Sequence, residues 1–296
     1  MAIRLRPYDA NLYLQQGLSL LEYGQEHQDK AMLLLAARRL KKLSQLDPSH
    51  EMGYLARAEA LYQLAKLTGD SNFLSQAHRA CLEVNSDTLP KETKSELAAT
   101  LGRLTFELAQ KSGEPTDIHK ACTYFEKALD MAGTLELTFY ESMVAAYLKL
   151  HELSSDTTWL IKGMTQAKLG LTSYPDSDGL YRYLGKGMSA KYQHSHAEEQ
   201  AEHASCFFLK SLQLAPFDLT IYQEAMRLSL DAFTICNNVN YLNQACNLYE
   251  KGVKHLTSAR LLLPLYVEAK AKLGLYKGDL NLIKKAQTLI EEAMDE

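Results

Sequence analysis

The sequence has few residues that interrupt regular secondary structure. Its 296 residues include only 7 Pro and 15 Gly, whereas an all-β chain would need more turn-forming residues. The longest uninterrupted apolar run, 31–37, is far shorter than the roughly 20 residues that cross a bilayer. The basic start at 1–10 has no apolar segment behind it. We therefore expect neither a β-fold, nor a membrane protein, nor a signal peptide.

A large excess of charge of one sign is also missing. The 32 Lys and Arg residues nearly balance 36 Asp and Glu residues, for a net charge of −4. A slightly acidic chain has no general attraction for phosphate backbones, which argues against a nucleic-acid partner. The five cysteines form no C-x-x-C pair and are interpreted as small buried residues in a reducing compartment. We therefore expect a cytoplasmic protein.

What the sequence does contain is an internal repeat of about 41 residues. Seven small residues, which we call the anchors, recur at intervals of 41, 44, 42, 41, 41 and 41: Ala36, Ala77, Ala121, Gly163, Ala204, Ala245 and Ala286. A second series, which we call the Tyr series, precedes each anchor at one constant distance: Tyr13, Tyr54, Ala98, Tyr140, Tyr181, Tyr222 and Leu263. Two series with one constant offset predict seven repeats.

Each repeat is predicted to contain two amphipathic helices. The first helix carries the Tyr series with apolar neighbours, as in Tyr181 and Leu184, and the second carries the anchor, as in Ile118, Ala121 and Phe125. Turn signals such as TGDSN and KSGEP separate the two helices. Prolines lie between repeats and are expected to end the second helix, at Pro48, Pro90, Pro175 and Pro216, and the segment AGT at 132–134 has this role after repeat three. One helix pair cannot bury its apolar face alone, so neighbouring pairs are expected to stack.

Repeat five shows an order of residue types that is typical of a known family. Aromatic, small, small, aromatic, small and proline residues follow one another at Tyr181, Gly185, Ala204, Phe208, Ser211 and Pro216. This order resembles the tetratricopeptide repeat, although that repeat is shorter. The seven extra residues correspond to about two helical turns, so each helix can gain one turn without rotating its apolar face. The HEAT and armadillo repeats have similar periods, but the order of small and large residues favours the tetratricopeptide repeat.

The resemblance implies an all-α fold, an α-solenoid in the form of a right-handed superhelix of seven antiparallel helix pairs. We expect a single domain over 1–296. Its repeats are expected at approximately 9–49, 50–92, 93–135, 136–176, 177–217, 218–258 and 259–296.

The resemblance also implies that the first helices line a concave groove that binds a partner segment. By analogy, groove positions lie one and five residues after each member of the Tyr series. The candidate groove residues are Leu14, Leu18, Leu55, Arg103, Arg182, Lys186, Gln223 and Arg227. Chaperone-binding members of the family hold ligand carboxylates with Lys and Asn where this chain has Leu14 and Leu18. We therefore do not predict binding of chaperone tails.

Three of these candidates are cations in adjacent repeats. Arg182 and Lys186 lie four residues apart on one helix, and Arg227 lies one full repeat after Lys186. They could hold an acidic side chain of a partner by charge-assisted hydrogen bonds. Alternatively they form a solvated polar face together with Glu141 and Glu268, since most charged side chains on a protein surface are solvated and bind no partner.

Repeat five departs from the other repeats just before its anchor. The positions four and three before the anchor hold Gln200 and Ala201 instead of a large apolar residue. His196, Glu199 and His203 could share one helical face and bind a divalent metal. The alternatives are a partner contact, a pH-sensitive segment or a solvated loop. Because no H-E-x-x-H or cysteine ligand set is present, we predict neither a metal nor a cofactor.

We found no sequence signature of catalysis: the chain has no phosphate-binding loop, nucleophile elbow or metalloprotease motif. We therefore expect a non-enzymatic scaffold or adaptor with a protein or peptide partner, and no nucleic-acid or membrane partner. An α/α-toroid enzyme and a nucleic-acid-binding helical repeat remain as alternatives. Leu282, Ile283, Leu289 and Ile290 are expected to be partly exposed, which would favour self-association through the last repeat.

Overall fold

A computed structural model of the chain describes residues 8–131 and 135–295. Regular structure in these two segments consists of fourteen α-helices and two short 3-10 helices, without any strand. The chain divides into two compact units, Met1–Asp156 and Thr157–Glu296. The boundary falls in the middle of repeat four, and the single domain over 1–296 stays a prediction.

Unit 1 contains three helix pairs and the first helix of repeat four. Its helices are α1 (Ala10–Glu26), α2 (Lys30–Leu46), α3 (Glu51–Thr68), α4 (Ser71–Leu82), α5 (Lys91–Ser112), α6 (Pro115–Met131) and α7 (Leu137–Ser154), with a 3-10 helix at Ser86–Thr88. Consecutive helices pack against each other, and first helices of neighbouring repeats also touch, as α1 does with α3 and α5 with α7. This is the packing of an α-solenoid.

Unit 2 contains the second helix of repeat four and three further pairs. Its helices are α8 (Thr157–Ser173), α9 (Asp178–Ser195), α10 (Glu198–Leu214), α11 (Leu219–Cys236), α12 (Val239–His255), α13 (Leu263–Lys277) and α14 (Leu280–Asp295), with a 3-10 helix at Ala259–Leu262. Its first helices α9, α11 and α13 again contact their neighbours. The all-α fold made of stacked helix pairs is confirmed in both units.

The anchors occupy equivalent positions in all seven repeats, and the tyrosines of the second series do so in the five repeats that contain one. Each anchor is the seventh residue of its second helix, and all seven anchors are buried. The five tyrosines of the other series are each the fourth residue of a first helix: Tyr13, Tyr54, Tyr140, Tyr181 and Tyr222. No helix in the described part of the chain is long and apolar enough to cross a membrane.

Close approach of the two helices explains the glycines of the first helices. In three repeats a Cβ atom added to the glycine would lie 2.6 to 2.8 Å from a large side chain of the second helix: Gly17 from Leu40, Gly102 from Phe125 and Gly185 from Phe208. Each glycine lies four residues after the Tyr series, and each large residue lies four residues after an anchor. The predicted alternation of small and large residues is therefore how the helices of a pair fit together.

Repeat two differs from its prediction at Pro90. That proline is expected to end the second helix of the repeat, but α4 ends at Leu82 and Pro90 instead lies directly before α5. Pro is tolerated there because the first helical residues need no partner for the backbone N–H. The 3-10 helix and the 22 residues of α5 take up the longer interval between Ala77 and Ala121. The segment 132–134 lies outside the described residues.

One residue in the left-handed region lies eight residues before every anchor. The seven residues and their φ angles are Gln28 (50°), Gly69 (72°), Gly113 (74°), Ser155 (56°), His196 (54°), Asn237 (51°) and Gly278 (66°). This third series has the same spacing as the anchors. The sequence does not reveal this series because only three of its seven members are glycine, the residue that usually marks such a position.

Replacing Gly113 by alanine is expected to lower the free energy of unfolding by about 1 kcal/mol, because a left-handed φ brings Cβ close to the backbone. Nothing lies within 4 Å of the added Cβ atom, so the loss reports the backbone conformation alone. Asparagine tolerates this region and is expected to cost less. Urea denaturation of the three proteins measures both losses. Equal losses for Gly113→Ala and Gly113→Asn would contradict this interpretation.

Candidate functional site

The predicted groove residues all lie on first helices, and three of the four in unit 1 line a groove. The structure places Leu14 and Leu18 on α1, Leu55 on α3, Arg103 on α5, Arg182 and Lys186 on α9, and Gln223 and Arg227 on α11. In unit 1 a groove of about 780 Å³ is lined by residues of α1, α3 and α5 and by the segment that enters α7. Leu18, Leu55 and Arg103 line it, whereas Leu14 packs against the core.

One end of the groove, on α1 and α3, is apolar. Leu21 and Leu55 form a buried floor, and Leu18 and Met52 remain 37% and 49% exposed. Exposed large apolar side chains that border a cavity are typical of interaction sites. Met52 is not among the predicted groove residues, because it lies two residues before Tyr54 rather than after it.

Arg103 in the middle of the groove is held by groups of the same unit. Its Nη2 atom lies 2.7 Å from Oε2 of Glu59, and its guanidinium group lies over the ring of Tyr62 at 4.3 Å. Gln25 of α1 donates a further hydrogen bond to Glu59 over 3.2 Å. Burial, and next the nearby carboxylate of Glu107, raises the pKa of Tyr62 to about 12. The charge of Arg103 is therefore compensated within the unit.

Three carboxylates border the other end of the groove. Glu92 and Glu96 lie one turn apart on α5, and Glu136 lies directly before α7. Desolvation, and next the charge of Glu136, raises the pKa of Glu96. Within 8–131 and 135–295, none of the three forms an ion pair. These three residues are not among the predicted groove residues because they precede the members of the Tyr series, Ala98 and Tyr140, in their repeats.

The predicted cations of unit 2 are mostly paired. Arg182 lies 3.3 Å from the carboxylate of Asp218, and Lys186 lies 2.7 Å from that of Glu224. Asp218 also caps α11, since its other oxygen accepts a hydrogen bond from the backbone of Thr220. Both acidic partners belong to the following repeat and lie at positions other than one and five after the Tyr series, so they are not among the predicted groove residues.

The weak metal candidate of repeat five is not assembled by the structure. His196 ends α9 with a φ of 54°, whereas Glu199 and His203 belong to α10, which begins at Glu198. The interpretation that the three share one helical face is therefore wrong, because the turn separates His196 from the other two. Among the described residues, no group of three His, Cys, Asp or Glu side chains could hold a metal ion.

Comparisons with known proteins concern the fold alone. No protein-family model and no curated protein matches the chain. Three similar solved structures are PilW, a type IV pilus biogenesis factor (16% identity, TM-score 0.53, 86% of this chain and 98% of that chain), the C-terminal part of a TPR repeat-containing protein from Cytophaga hutchinsonii (13%, 0.54, 88% and 90%), and a tetratricopeptide repeat protein from Parabacteroides merdae (15%, 0.52, 93% and 93%). Together with the repeat pattern and the helix packing, they show that this chain has the tetratricopeptide-repeat fold.

Proposed function

We propose that the chain is a non-enzymatic scaffold that binds a segment of a partner protein in the groove of unit 1. The observation that carries the proposal is the groove itself, to which the first helices α1, α3 and α5 and the entry to α7 all contribute. Helical repeats contribute side chains from successive repeats to one extended binding surface. A volume of about 780 Å³ accommodates several side chains of an extended or helical segment.

We propose a second contact surface in unit 2. It is formed by the polar side chains of Arg182, Lys186, Gln223 and Arg227, and the side chain of Arg227 is exposed. We also propose a cytoplasmic location, because an odd number of cysteines without a C-x-x-C pair suits a reducing compartment.

Self-association through the last repeat also stays a proposal. The side chains of Leu282, Ile283 and Leu289 are half-buried, and Leu282 packs against the core of unit 2. The side chain of Ile290 lies outside the described residues. Sedimentation of the full chain at increasing concentration measures the association.

The test of the groove uses a bulky side chain inside it. Short peptides are selected from a random phage-displayed library on the full chain, and their affinities are measured by fluorescence anisotropy. Ala99 lines the groove on α5, so Ala99→Trp is expected to weaken binding at least ten-fold. Gln76 is exposed on α4, and Gln76→Trp is the matched control with unchanged binding. Circular dichroism verifies that both variants fold.

Two results would overturn the proposal. Either the library yields no peptide that binds the chain, or the selected peptides bind Ala99→Trp as tightly as the original protein.

A further inference from the structure

The groove of unit 1 carries a net negative charge close to that of the whole chain. Its ionisable lining consists of the four carboxylates of Glu59, Glu92, Glu96 and Glu136 and the single guanidinium group of Arg103. The resulting formal charge of −3 compares with −4 for all 296 residues. A cleft lined by one sign of charge focuses the field and attracts ligands of the opposite sign.

The charge within the groove is also unevenly placed. Arg103 and Glu59 form an ion pair with 21% and 27% of their side chains exposed, and this pair is neutral as a whole. The three remaining carboxylates lie at the end formed by α5 and the entry to α7. The groove therefore has an apolar end on α1 and α3, a neutral middle and an acidic end.

An acidic ligand does not fit this arrangement. A carboxylate placed among Glu92, Glu96 and Glu136 would add a fourth like charge, which disfavours the ionised forms of all of them. A cation placed there would instead relieve the electrostatic repulsion between the carboxylates of Glu96 and Glu136. The ligand expected in this groove is therefore opposite in charge to the acidic ligand that the cations of unit 2 suggest from the sequence.

On the basis of the proposed function, we infer that the partner segment in this groove is cationic and amphipathic. Its apolar side chains contact Leu18 and Met52 above the floor, at the end formed by α1 and α3. Its Lys or Arg side chains contact the carboxylates of Glu92, Glu96 and Glu136 at the other end.

The test compares peptides selected on two proteins from the same random library. Peptides selected on the original chain are expected to contain at least three times as many Lys and Arg residues as Asp and Glu residues, after correction for the library. Peptides selected on Glu92→Gln/Glu96→Gln/Glu136→Gln are expected to lose this excess. The tightest basic peptide is expected to bind this variant at least ten-fold more weakly, and to bind the original chain more weakly as salt is raised.

A matched control separates local from general electrostatics. Glu114, Glu152 and Glu250 are exposed and do not line the groove, so Glu114→Gln/Glu152→Gln/Glu250→Gln changes the net charge equally and is expected to leave the affinity unchanged. Suppose that Ala99→Trp prevents the selected peptides from binding, but that these peptides contain no excess of Lys and Arg, or that both triple variants weaken binding equally. Either result would contradict a cationic ligand, while binding in the groove would still be supported. If no peptide binds, or if Ala99→Trp does not weaken binding, the proposed function fails and this inference with it.

Discussion

Replacing Gly102 by leucine is expected to lower the free energy of unfolding by about 3 kcal/mol, the upper range for overpacking a well-packed core. A Cβ atom at this position would lie 2.7 Å from Cδ1 of Phe125, closer than Cβ atoms in real proteins come to another side chain. Because Phe125 is fully buried, its ring cannot move aside into solvent. The loss is expected although leucine favours a helix over glycine by about 1 kcal/mol. Equilibrium denaturation in urea measures it.

A double-mutant cycle tests whether Phe125 is the cause. Phe125→Ala alone is expected to cost about 3 to 5 kcal/mol because it leaves a cavity. In the double variant Gly102→Leu/Phe125→Ala the leucine enters that cavity. The combined loss is therefore expected to be smaller than the sum of the two single losses by about 2 kcal/mol. Additive losses would show that the contact with Phe125 does not limit the size of the residue at position 102.

The second large effect is expected in unit 2, at Phe208. Its ring is 1% exposed and lies against the backbone of α9, where a Cβ atom added to Gly185 would be 2.8 Å away. Phe208→Ala is expected to lower the free energy of unfolding by about 3 to 5 kcal/mol, because the rigid backbone around Gly185 cannot close the cavity. Thermal denaturation followed by circular dichroism measures the effect.

The matched control is another phenylalanine of the same unit. Phe217 is 73% exposed in the connection between α10 and α11, with its ring 5.9 Å from that of His255. Phe217→Ala is expected to change stability by no more than about 0.5 kcal/mol. A loss at Phe217 as large as that at Phe208 would contradict the assignment of the core.

Much of the fold could be predicted from the sequence because the same pattern of residues occurs in seven repeats. The anchors and the tyrosines are informative because small and large residues at fixed offsets are required wherever two helices cross closely. The predicted helices are found in all seven repeats. Leu18, Leu55 and Arg103 are expected in a groove only because the chain resembles the tetratricopeptide repeat, and all three line the groove of unit 1.

The rest could not be predicted because it depends on pairs of residues that share no period. Asp218 and Glu224 neutralise the cations of the preceding repeat, and only the crossing of α9 and α11 brings these groups together. Likewise Glu96 and Glu136 belong to different repeats, and their mutual repulsion depends on how α5 approaches the entry to α7. Sequence position alone indicates the face of a helix, but it does not give the charge of the neighbouring helix.

The left-handed turns have a consequence for engineering this protein. Four of the seven turn positions hold residues other than glycine, at Gln28, Ser155, His196 and Asn237, and none of them lines the groove. Substitution by glycine at such sites removes steric strain without altering any helix. Glycine substitutions at these turns are therefore expected to raise the stability of the protein. This gain would offset the stability lost when the binding surface is redesigned for a new ligand.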